Sequence, residues 1–167
     1  SKDIKIDDSV RAIILSGSPY SVREDNAPIP SLDCLNQDIP VLAICYGAQF
    51  LAHSNGGTVS PSKIREYGRA NLSFFDSNSR LFKGISSNSQ VWMSHGDTIT
   101  NIPESFKLIA STKEVDIAAF SIDKKNVFGL QFHPEVYHSK DGYKIISNFL
   151  VNICNCKQDW TPDSFID

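Results

Sequence analysis

The chain has 167 residues, 41% of them hydrophobic, with 16 basic and 19 acidic side chains and a net charge of −3. A chain of this length and apolar content can bury one substantial core, so we expect a single globular domain. The charges form no long basic run, which disfavours nucleic acid and anionic membranes as partners. No apolar stretch approaches the roughly 20 residues of a membrane-spanning helix, and the charged start is unlike a signal peptide. We therefore expect a cytoplasmic protein.

The cysteine content argues in the same direction. The chain has four cysteines, Cys34, Cys45, Cys154 and Cys156. Four are few for a disulfide framework, and the last two are too close together for an easy bridge or for the usual zinc spacing. We therefore predict free thiols and no metal site.

The first third of the chain predicts strands that alternate with helices. Residues 11–16 (RAIILS) and 41–44 are short apolar runs typical of buried strands. Residues 31–37 (SLDCLNQ), between them, have room for a short helix. Residues 46–54 place apolar side chains at helical spacing and are followed by NGG, a typical end of a helix.

The remainder is richer in β-structure. Strands are predicted over residues 68–75, 91–94, 106–111, 117–122 and 127–132, the last two joined as a hairpin by DKKN. Residues 141–154 predict an amphipathic helix with Tyr143, Ile146, Phe149, Leu150 and Ile153 on its apolar face. The polar residues 157–167 are typical of a connector. These patterns indicate an open α/β sheet with an added β-region.

The stretch IPVLAICYGAQFLA, residues 39–52, begins like a buried strand and ends like a helix, with Cys45 at the junction. A nucleophile on such a turn projects from the carboxyl edge of a sheet, towards the unpaired N–H groups of the following helix. The helix dipole favours a thiolate there, and the N–H of Tyr46 can bind an oxyanion. Ala43 and Gly47 are the small residues that a close approach of strand and helix requires. The pattern predicts Cys45 as a nucleophile.

A thiol nucleophile requires a base. His133, in LQFHPEV, is the strand-end histidine with a carboxylate nearby, that of Glu135. His133 would take the thiol proton and Glu135 would orient the imidazole. The alternative is that His133 is a hydrogen-bonded structural histidine. His95, in MSHGD, is predicted to form a wall or to face a partner.

Over nearly all of its length the chain resembles a class I glutamine amidotransferase. Six motifs occur in that family's order and at about its spacing: ILSGSPYSV, PVLAICYGAQ, REYGRA, VWMSHGDTI, VFGLQFHPEV and CNCKQDWTP. The resemblance implies an open, mostly parallel, flavodoxin-like sheet flanked by helices, with an added antiparallel β-region. It also implies that Cys45 attacks the side-chain amide of L-glutamine, that His133 shuttles protons and that Glu135 holds His133. The oxyanion would lie between the backbone N–H groups of Ser18 and Tyr46.

The resemblance also implies a set of residues that bind the substrate: Gln49, Ser94, Asp97 and Tyr137. An acid such as Asp97 suits the α-ammonium group of glutamine, because an opposite charge fixes its position. Each residue has a structural alternative. Gln49 would then lie on a solvated helix face, Ser94 and Asp97 would shape a turn, and Tyr137 would only pack.

The chain departs from the family at two small residues. Ser18 and Ala43 stand where the family usually has glycine. If the oxyanion turn needs a positive φ at residue 18, serine is strained by roughly 1 kcal/mol or more. We expect that it does not, because the donor is a backbone N–H.

Within the family, REYG, WMSHGD and the tryptophan-bearing end are most similar to the amidotransferase domain of GMP synthetases. That similarity implies an ATP pyrophosphatase domain or subunit as partner, which uses ATP and Mg²⁺ to activate XMP and takes the ammonia. It further implies no cofactor in the amidotransferase domain itself. We expect residues 1–155 to be the amidotransferase domain, without its N-terminal strand and helix. Residues 156–167 would be the connector towards the pyrophosphatase domain.

Two other interpretations stay open. The chain could serve another synthetase, such as those for anthranilate or carbamoyl phosphate, or be a glutamyl-peptide hydrolase. It could also be a non-catalytic module that binds a synthetase partner. That interpretation is motivated by Ser18 and by the expected lack of the N-terminal strand and helix. The presence together of Cys45, His133 and Glu135 disfavours this last reading.

Overall fold

The structure is a computed structural model that describes residues 6–30, 38–122 and 124–159, with the side chains of residues 63–66 left out. The predicted helix over residues 31–37 lies outside the described residues. So do Asp123 of the predicted hairpin turn and residues 160–167 of the predicted connector.

Seven strands form one sheet among the described residues. They are β1 (Ile13–Leu15), β2 (Val41–Ile44), β3 (Thr58–Phe75), β4 (Gln90–Asn101), β5 (Phe106–Thr112), β6 (Ala119–Ile122) and β7 (Val127–Leu130). Their order across the sheet is β1-β2-β7-β6-β5-β3-β4. Strand β2 has the predicted bounds, whereas β3 and β4 are much longer than predicted.

The sheet has a parallel part and an antiparallel part. Strands β1, β2 and β7 pair in parallel, and the other four pairings of the described strands are antiparallel. The α/β fold class is confirmed. The resemblance had implied a mostly parallel sheet, but most pairings among the described strands are antiparallel. Strands β5, β6 and β7 are joined by connections of six and four residues (113–118 and 123–126), which are too short for a parallel crossover.

The sheet curls so that its β4 end approaches its centre. Although β4 is the last strand in the order, Met93 forms an isolated antiparallel bridge with Phe132, just after β7. The N–H of His133 continues this contact by donating to the carbonyl of Trp92 at 2.9 Å. The middle of β4 therefore lies beside the carboxyl ends of the parallel strands.

The helix after β2, α1 (Tyr46–Ser54), has the predicted bounds. Its first seven residues are buried, because α1 packs against the parallel strands. All four residues of β2 are buried as well, as expected of a parallel strand covered on both faces. Two apolar clusters fill the core, one containing Leu42, Phe128 and Phe149, the other Val41, Leu51 and Phe120.

The C-terminal helix has two kinds of turn. It begins as α2 (Gly142–Ser147) and continues as a π-helix over Asn148–Ile153. The prediction for residues 141–154 is confirmed in extent, but Tyr143 is 83% exposed and does not belong to the buried face. That face includes Ile145, Phe149 and Ile153, which follow one another at four-residue spacing. None of the helices in the described ranges has the length and apolar character needed to cross a membrane.

Candidate active site

Cys45 lies on a strained turn between β2 and α1. Its backbone has φ 52° and ψ −109°, outside the region that non-glycine residues normally adopt. The turn is held on both sides: the N–H of Cys45 donates to Leu130 at 2.7 Å, and its carbonyl accepts from the N–H of Gln49 at 3.0 Å. Strain of this kind is concentrated at functional sites. The predicted nucleophile turn is present.

Gly47 is required to be small, as predicted, but the strand that it lets α1 approach closely is β1. A Cβ on Gly47 would lie 2.5 Å from the carbonyl oxygen of Leu15 in β1, a distance that no side chain tolerates. Gly17, just after β1, sits behind the reactive pair. A Cβ at Gly17 would lie 3.4 Å from Cε1 of His133 and 3.7 Å from Cβ of Cys45. The end of β1 therefore borders both side chains.

His133 and Glu135 form a hydrogen-bonded pair beside this turn. Nδ1 of His133 lies 2.6 Å from Oε1 of Glu135. The backbone of His133 is fixed to β4, because its N–H donates to Trp92 and its carbonyl accepts from Oγ of Ser139 at 2.6 Å. Ser139 in turn accepts from the N–H of Trp92 at 3.0 Å. This network fixes the position of the imidazole relative to the sheet.

The electrostatics of the pair favour an imidazolium. The Cys45 thiol and then the Glu135 carboxylate raise the pKa of His133 to about 10, against burial, which lowers it. Burial raises the pKa of Glu135, but its hydrogen bond and attraction to His133 lower it further, so the net shift is downward. A negative charge on Cys45 and on Glu135 therefore stabilises the protonated ring between them.

The thiol and the imidazole are neighbours without a formed hydrogen bond. Sγ of Cys45 is directed to the carbonyl oxygen of Ser94 at 3.7 Å, and Nε2 of His133 is buried without a hydrogen-bond partner. Hydrogen bonds between catalytic groups are often loose before substrate binds. Hydrogen bonding with Cys45 is nevertheless the largest influence on the pKa of His133, ahead of the charge of Cys45, so the two side chains lie within reach of each other.

The two proposed oxyanion donors come from the start of α1 and from the segment after β1. The N–H of Tyr46 belongs to the first turn of α1, where helix N–H groups lack intrahelical partners. Ser18 lines the same cleft as Cys45. It is not among the described non-glycine residues with positive φ, so serine replaces the family's glycine without left-handed strain. The expectation that residue 18 does not need a positive φ is confirmed.

A cleft of about 310 Å³ opens in front of Cys45. Its lining includes three of the four predicted substrate contacts, Gln49, Ser94 and Asp97. Tyr137 is not part of this lining: it is 88% exposed, and its ring lies 3.8 Å from that of His138. The cleft is large enough for a small metabolite.

Gln49 belongs to a buried amide network. It is only 3% exposed, which rules out the solvated-face alternative. Its Nε2 donates to the carbonyl of Asp97 at 2.8 Å and lies 3.5 Å from Oε1 of Gln131. Gln131 also accepts from the N–H of Ile99 at 3.1 Å and donates to the carbonyl of Ile117 at 2.7 Å. The network ties α1 to β4 at the cleft.

His95 forms a wall of the cleft, one of the two roles predicted for it. It is buried, and burial lowers the pKa of His95 to about 4. The ring is therefore neutral near pH 7 and is poorly suited to act as a general base there.

Comparison with known proteins identifies the family. The sequence model of the family described as glutamine amidotransferase class-I matches residues 1–153. The chain belongs to the class-I glutamine amidotransferase family. A GMP synthase (glutamine-hydrolyzing) of Bacteroides thetaiotaomicron is 55% identical over 98% of this chain and 32% of its own length. One of Cytophaga hutchinsonii is 53% identical over 100% of this chain and 33% of its own. This amidotransferase thus spans about one third of the curated relatives it matches.

Solved structures agree with the family assignment. One from Thermoplasma acidophilum has a TM-score of 0.74 and 31% identity, over 89% of this chain and 74% of its own. A glutamine amidotransferase from Thermotoga maritima has a TM-score of 0.57 at 24% identity over 75% of this chain and 54% of its own, which supports the fold alone.

Two cleft residues were missed by sequence analysis. Ser21 and Arg23 both contact the carboxylate of Asp97. They lie in the segment that follows β1. Ser21 falls within the motif ILSGSPYSV, but neither residue was assigned a role. A signal was available, since segments that follow the carboxyl ends of parallel strands meet at the ligand-binding edge of an α/β sheet.

Proposed function

We propose that this amidotransferase is the glutamine-hydrolysing part of a GMP synthase. One observation carries the proposal: a strained cysteine, Cys45, faces a cleft beside a hydrogen-bonded His133–Glu135 pair. The relatives that match the whole chain at 52–55% identity are named GMP synthases (glutamine-hydrolyzing), which supports the nucleotide assignment.

The reaction starts with acyl transfer to sulfur. Sγ of Cys45 attacks the side-chain carbonyl carbon of L-glutamine, and the thiol proton is held by Nε2 of His133. The carbonyl oxygen becomes negative and accepts hydrogen bonds from the N–H groups of Ser18 and Tyr46. Glu135 keeps its charge throughout and fixes the ring through Nδ1.

Two proton transfers complete the cycle. The tetrahedral intermediate collapses to a glutamyl thioester when His133 gives its proton to the amide nitrogen, which leaves as ammonia. His133 then takes a proton from water, which attacks the thioester carbon and releases glutamate. Sulfur leaves as the thiolate, and the net reaction consumes one water per glutamine.

The substrate's amino acid end is bound at the far side of the cleft. Asp97 receives the α-ammonium group, and Gln49 and Ser94 position the chain of the substrate. Tyr137 is retained as a proposed contact. This contact requires the Tyr137 ring to turn away from His138 and towards the cleft.

The ammonia serves a second reaction in the whole synthetase. An ATP pyrophosphatase domain or subunit, with ATP and Mg²⁺, activates XMP and accepts the ammonia to form GMP. We assign residues 1–155 to the amidotransferase domain and residues 156–167 to the connector towards that partner. The relatives' threefold greater length supports this division. The free thiols of Cys45, Cys154 and Cys156 support a reducing, cytoplasmic location.

Intact-protein mass spectrometry tests the proposal. The folded chain is exposed to 6-diazo-5-oxo-L-norleucine, a diazo-ketone that mimics glutamine. A single adduct is expected on the wild type and on Cys156→Ala, and none on Cys45→Ala. Cys156 is the matched control because it is more exposed than Cys45 yet outside the cleft. An unmodified wild type that is folded by circular dichroism would favour the non-catalytic, partner-binding interpretation.

A further inference from the structure

The carboxylate of Asp97, assigned above to the substrate's ammonium group, is already occupied. Nη2 of Arg23 lies 3.0 Å from its Oδ1, and Oγ of Ser21 donates to its Oδ2. Both oxygens thus have partners supplied by the segment after β1. A ligand ammonium group that binds Asp97 therefore approaches a carboxylate that already carries a guanidinium, and the two cations repel each other.

This arrangement is held by further hydrogen bonds. The carbonyl of Ser21 accepts from the N–H of Glu24 at 3.1 Å, and Oγ of Ser21 accepts from the N–H of Arg23 at 3.2 Å. These bonds form a turn that presents Arg23 to Asp97. On the other side, Gln49 fixes the backbone of Asp97.

The two charged groups differ in their freedom to move. The Asp97 side chain is 12% exposed and the Arg23 side chain is 42% exposed. Asp97 is therefore a fixed anion within the cleft, whereas Arg23 has solvent into which its guanidinium can swing. Opening the ion pair costs little, since pairs with one exposed partner contribute little net stability.

L-Glutamine carries a cation and an anion on one carbon atom, a charge pattern that complements a separated Asp97 and Arg23. A guanidinium group binds a carboxylate through two parallel N–H donors. We propose that Arg23 binds the α-carboxylate of glutamine, and that the substrate opens the Arg23–Asp97 ion pair by inserting between its partners. Arg23 thereby selects amino acids over simple amines. This inference rests on the proposed function of the cleft.

The rival explanation is that Arg23 merely anchors the loop. The two explanations differ for 4-aminobutanamide, which is glutamine without its α-carboxylate. If Arg23 binds the carboxylate, its removal weakens glutamine binding but frees Asp97 for the ammonium group of 4-aminobutanamide. If Arg23 only anchors the loop, its removal weakens both ligands in the same direction.

Protection of Cys45 against iodoacetamide tests the inference without requiring turnover. Initial alkylation rates are measured by mass spectrometry at increasing L-glutamine or 4-aminobutanamide. In Arg23→Met, the half-protecting concentration of glutamine should rise about tenfold to a hundredfold, as expected for loss of a charged hydrogen-bonded pair. That of 4-aminobutanamide should fall. Arg23→Lys should retain part of the glutamine affinity, because it keeps the charge but not the two-donor geometry.

Arg11→Met is the matched control, since Arg11 is exposed and outside the cleft. Both ligands should protect Cys45 of Arg11→Met at the same concentrations as in the wild type. Shifts of both ligands in the same direction in Arg23→Met, or no shift of either, would overturn the role of Arg23. If glutamine fails to protect the wild type although iodoacetamide reaches Cys45, the proposed glutamine site itself fails. That result is separate from any effect of Arg23.

Discussion

The parallel and antiparallel parts of the sheet contribute differently to the cleft. In the parallel part, β2 and β7 are short and wholly buried. In the antiparallel part, β4 is twelve residues long, and its burial alternates over its first half. The reactive turn follows a buried strand, whereas Ser94 and Asp97 come from the half-exposed one. Buried strands fix the geometry of the chemistry, and the half-exposed strand supplies the wall that receives a ligand.

The largest expected effect tests the pairing of Cys45 with His133 at the parallel end. In His133→Ala the thiol loses the imidazole that takes its proton when sulfur attacks. At about pH 6.5 alkylation of Cys45 by iodoacetamide should slow about a hundredfold, because proton transfer to a positioned base contributes about 10²–10⁴-fold. Mass spectrometry measures the rate. His53→Ala, at the exposed end of α1, is the control, and equal rates in both variants would contradict the pairing.

The second prediction compares one glycine from each part of the sheet. Gly47→Ala places a Cβ 2.5 Å from a backbone oxygen of β1, so we expect a loss of about 3 kcal/mol or more in the free energy of unfolding. Gly96→Ala, in β4, has only the hydroxyl of Tyr67 nearby, at 3.9 Å. Its effect should stay within about 0.5 kcal/mol. Urea denaturation measures the free energy of unfolding of both variants. Similar losses would contradict the tighter packing around Gly47 than around Gly96.

The third prediction concerns the amide that joins the two parts. Gln131→Leu leaves the N–H of Ile99 and the carbonyl of Ile117 without their side-chain partner. Each unsatisfied buried group costs about 1–3 kcal/mol, so we expect a loss of about 2 kcal/mol after the apolar gain of leucine. Thermal and urea unfolding should agree. A variant as stable as the wild type would mean that Gln131 does not join β4 to the parallel part.

The smallest effect is expected at an ion pair on the antiparallel part. Lys107 and Asp76 lie 2.6 Å apart, with Lys107 largely exposed. Lys107→Met should change the free energy of unfolding by at most about 0.5 kcal/mol, since solvent screens the pair. The difference should shrink further in high salt. A salt-insensitive loss above 1 kcal/mol would show that Lys107 does more than form this pair.

The sequence predicted the parallel part better than the antiparallel part, for a physical reason. Residues 41–54 contain both a local apolar run and a glycine beside the turn, so β2, Cys45 and α1 were found with their bounds. Strands β3 and β4 continue through polar residues that are held by pairing with each other. Local periodicity does not record such pairing, and their lengths were underestimated.

Local sequence was also an incomplete guide to the residues of the cleft. Cys45, His133 and Glu135 were found from residue chemistry and the family resemblance together. The position of Arg23 after β1 indicated the ligand-binding edge, but its partner could not be predicted, because local sequence does not record that the curled sheet brings Asp97, 74 residues away, to within 3.0 Å. Tyr143 was misplaced because its aromatic ring was taken as a sign of burial, whereas the buried residues of α2 are Gly142 and Ile145.

The most direct test of the account is an NMR titration of the His133 ring nitrogens in ¹⁵N-histidine-labelled protein. The ring lies beside Cys45 and the Glu135 carboxylate, which together raise the pKa of His133 to about 10. Both ring nitrogens should therefore stay protonated from pH 6.5 to about pH 9, and Cys45→Ala should bring the transition back towards the usual range near pH 6.5. A wild-type transition near pH 6.5, unchanged in Cys45→Ala, would contradict the paired nucleophile and base on which the proposed chemistry depends.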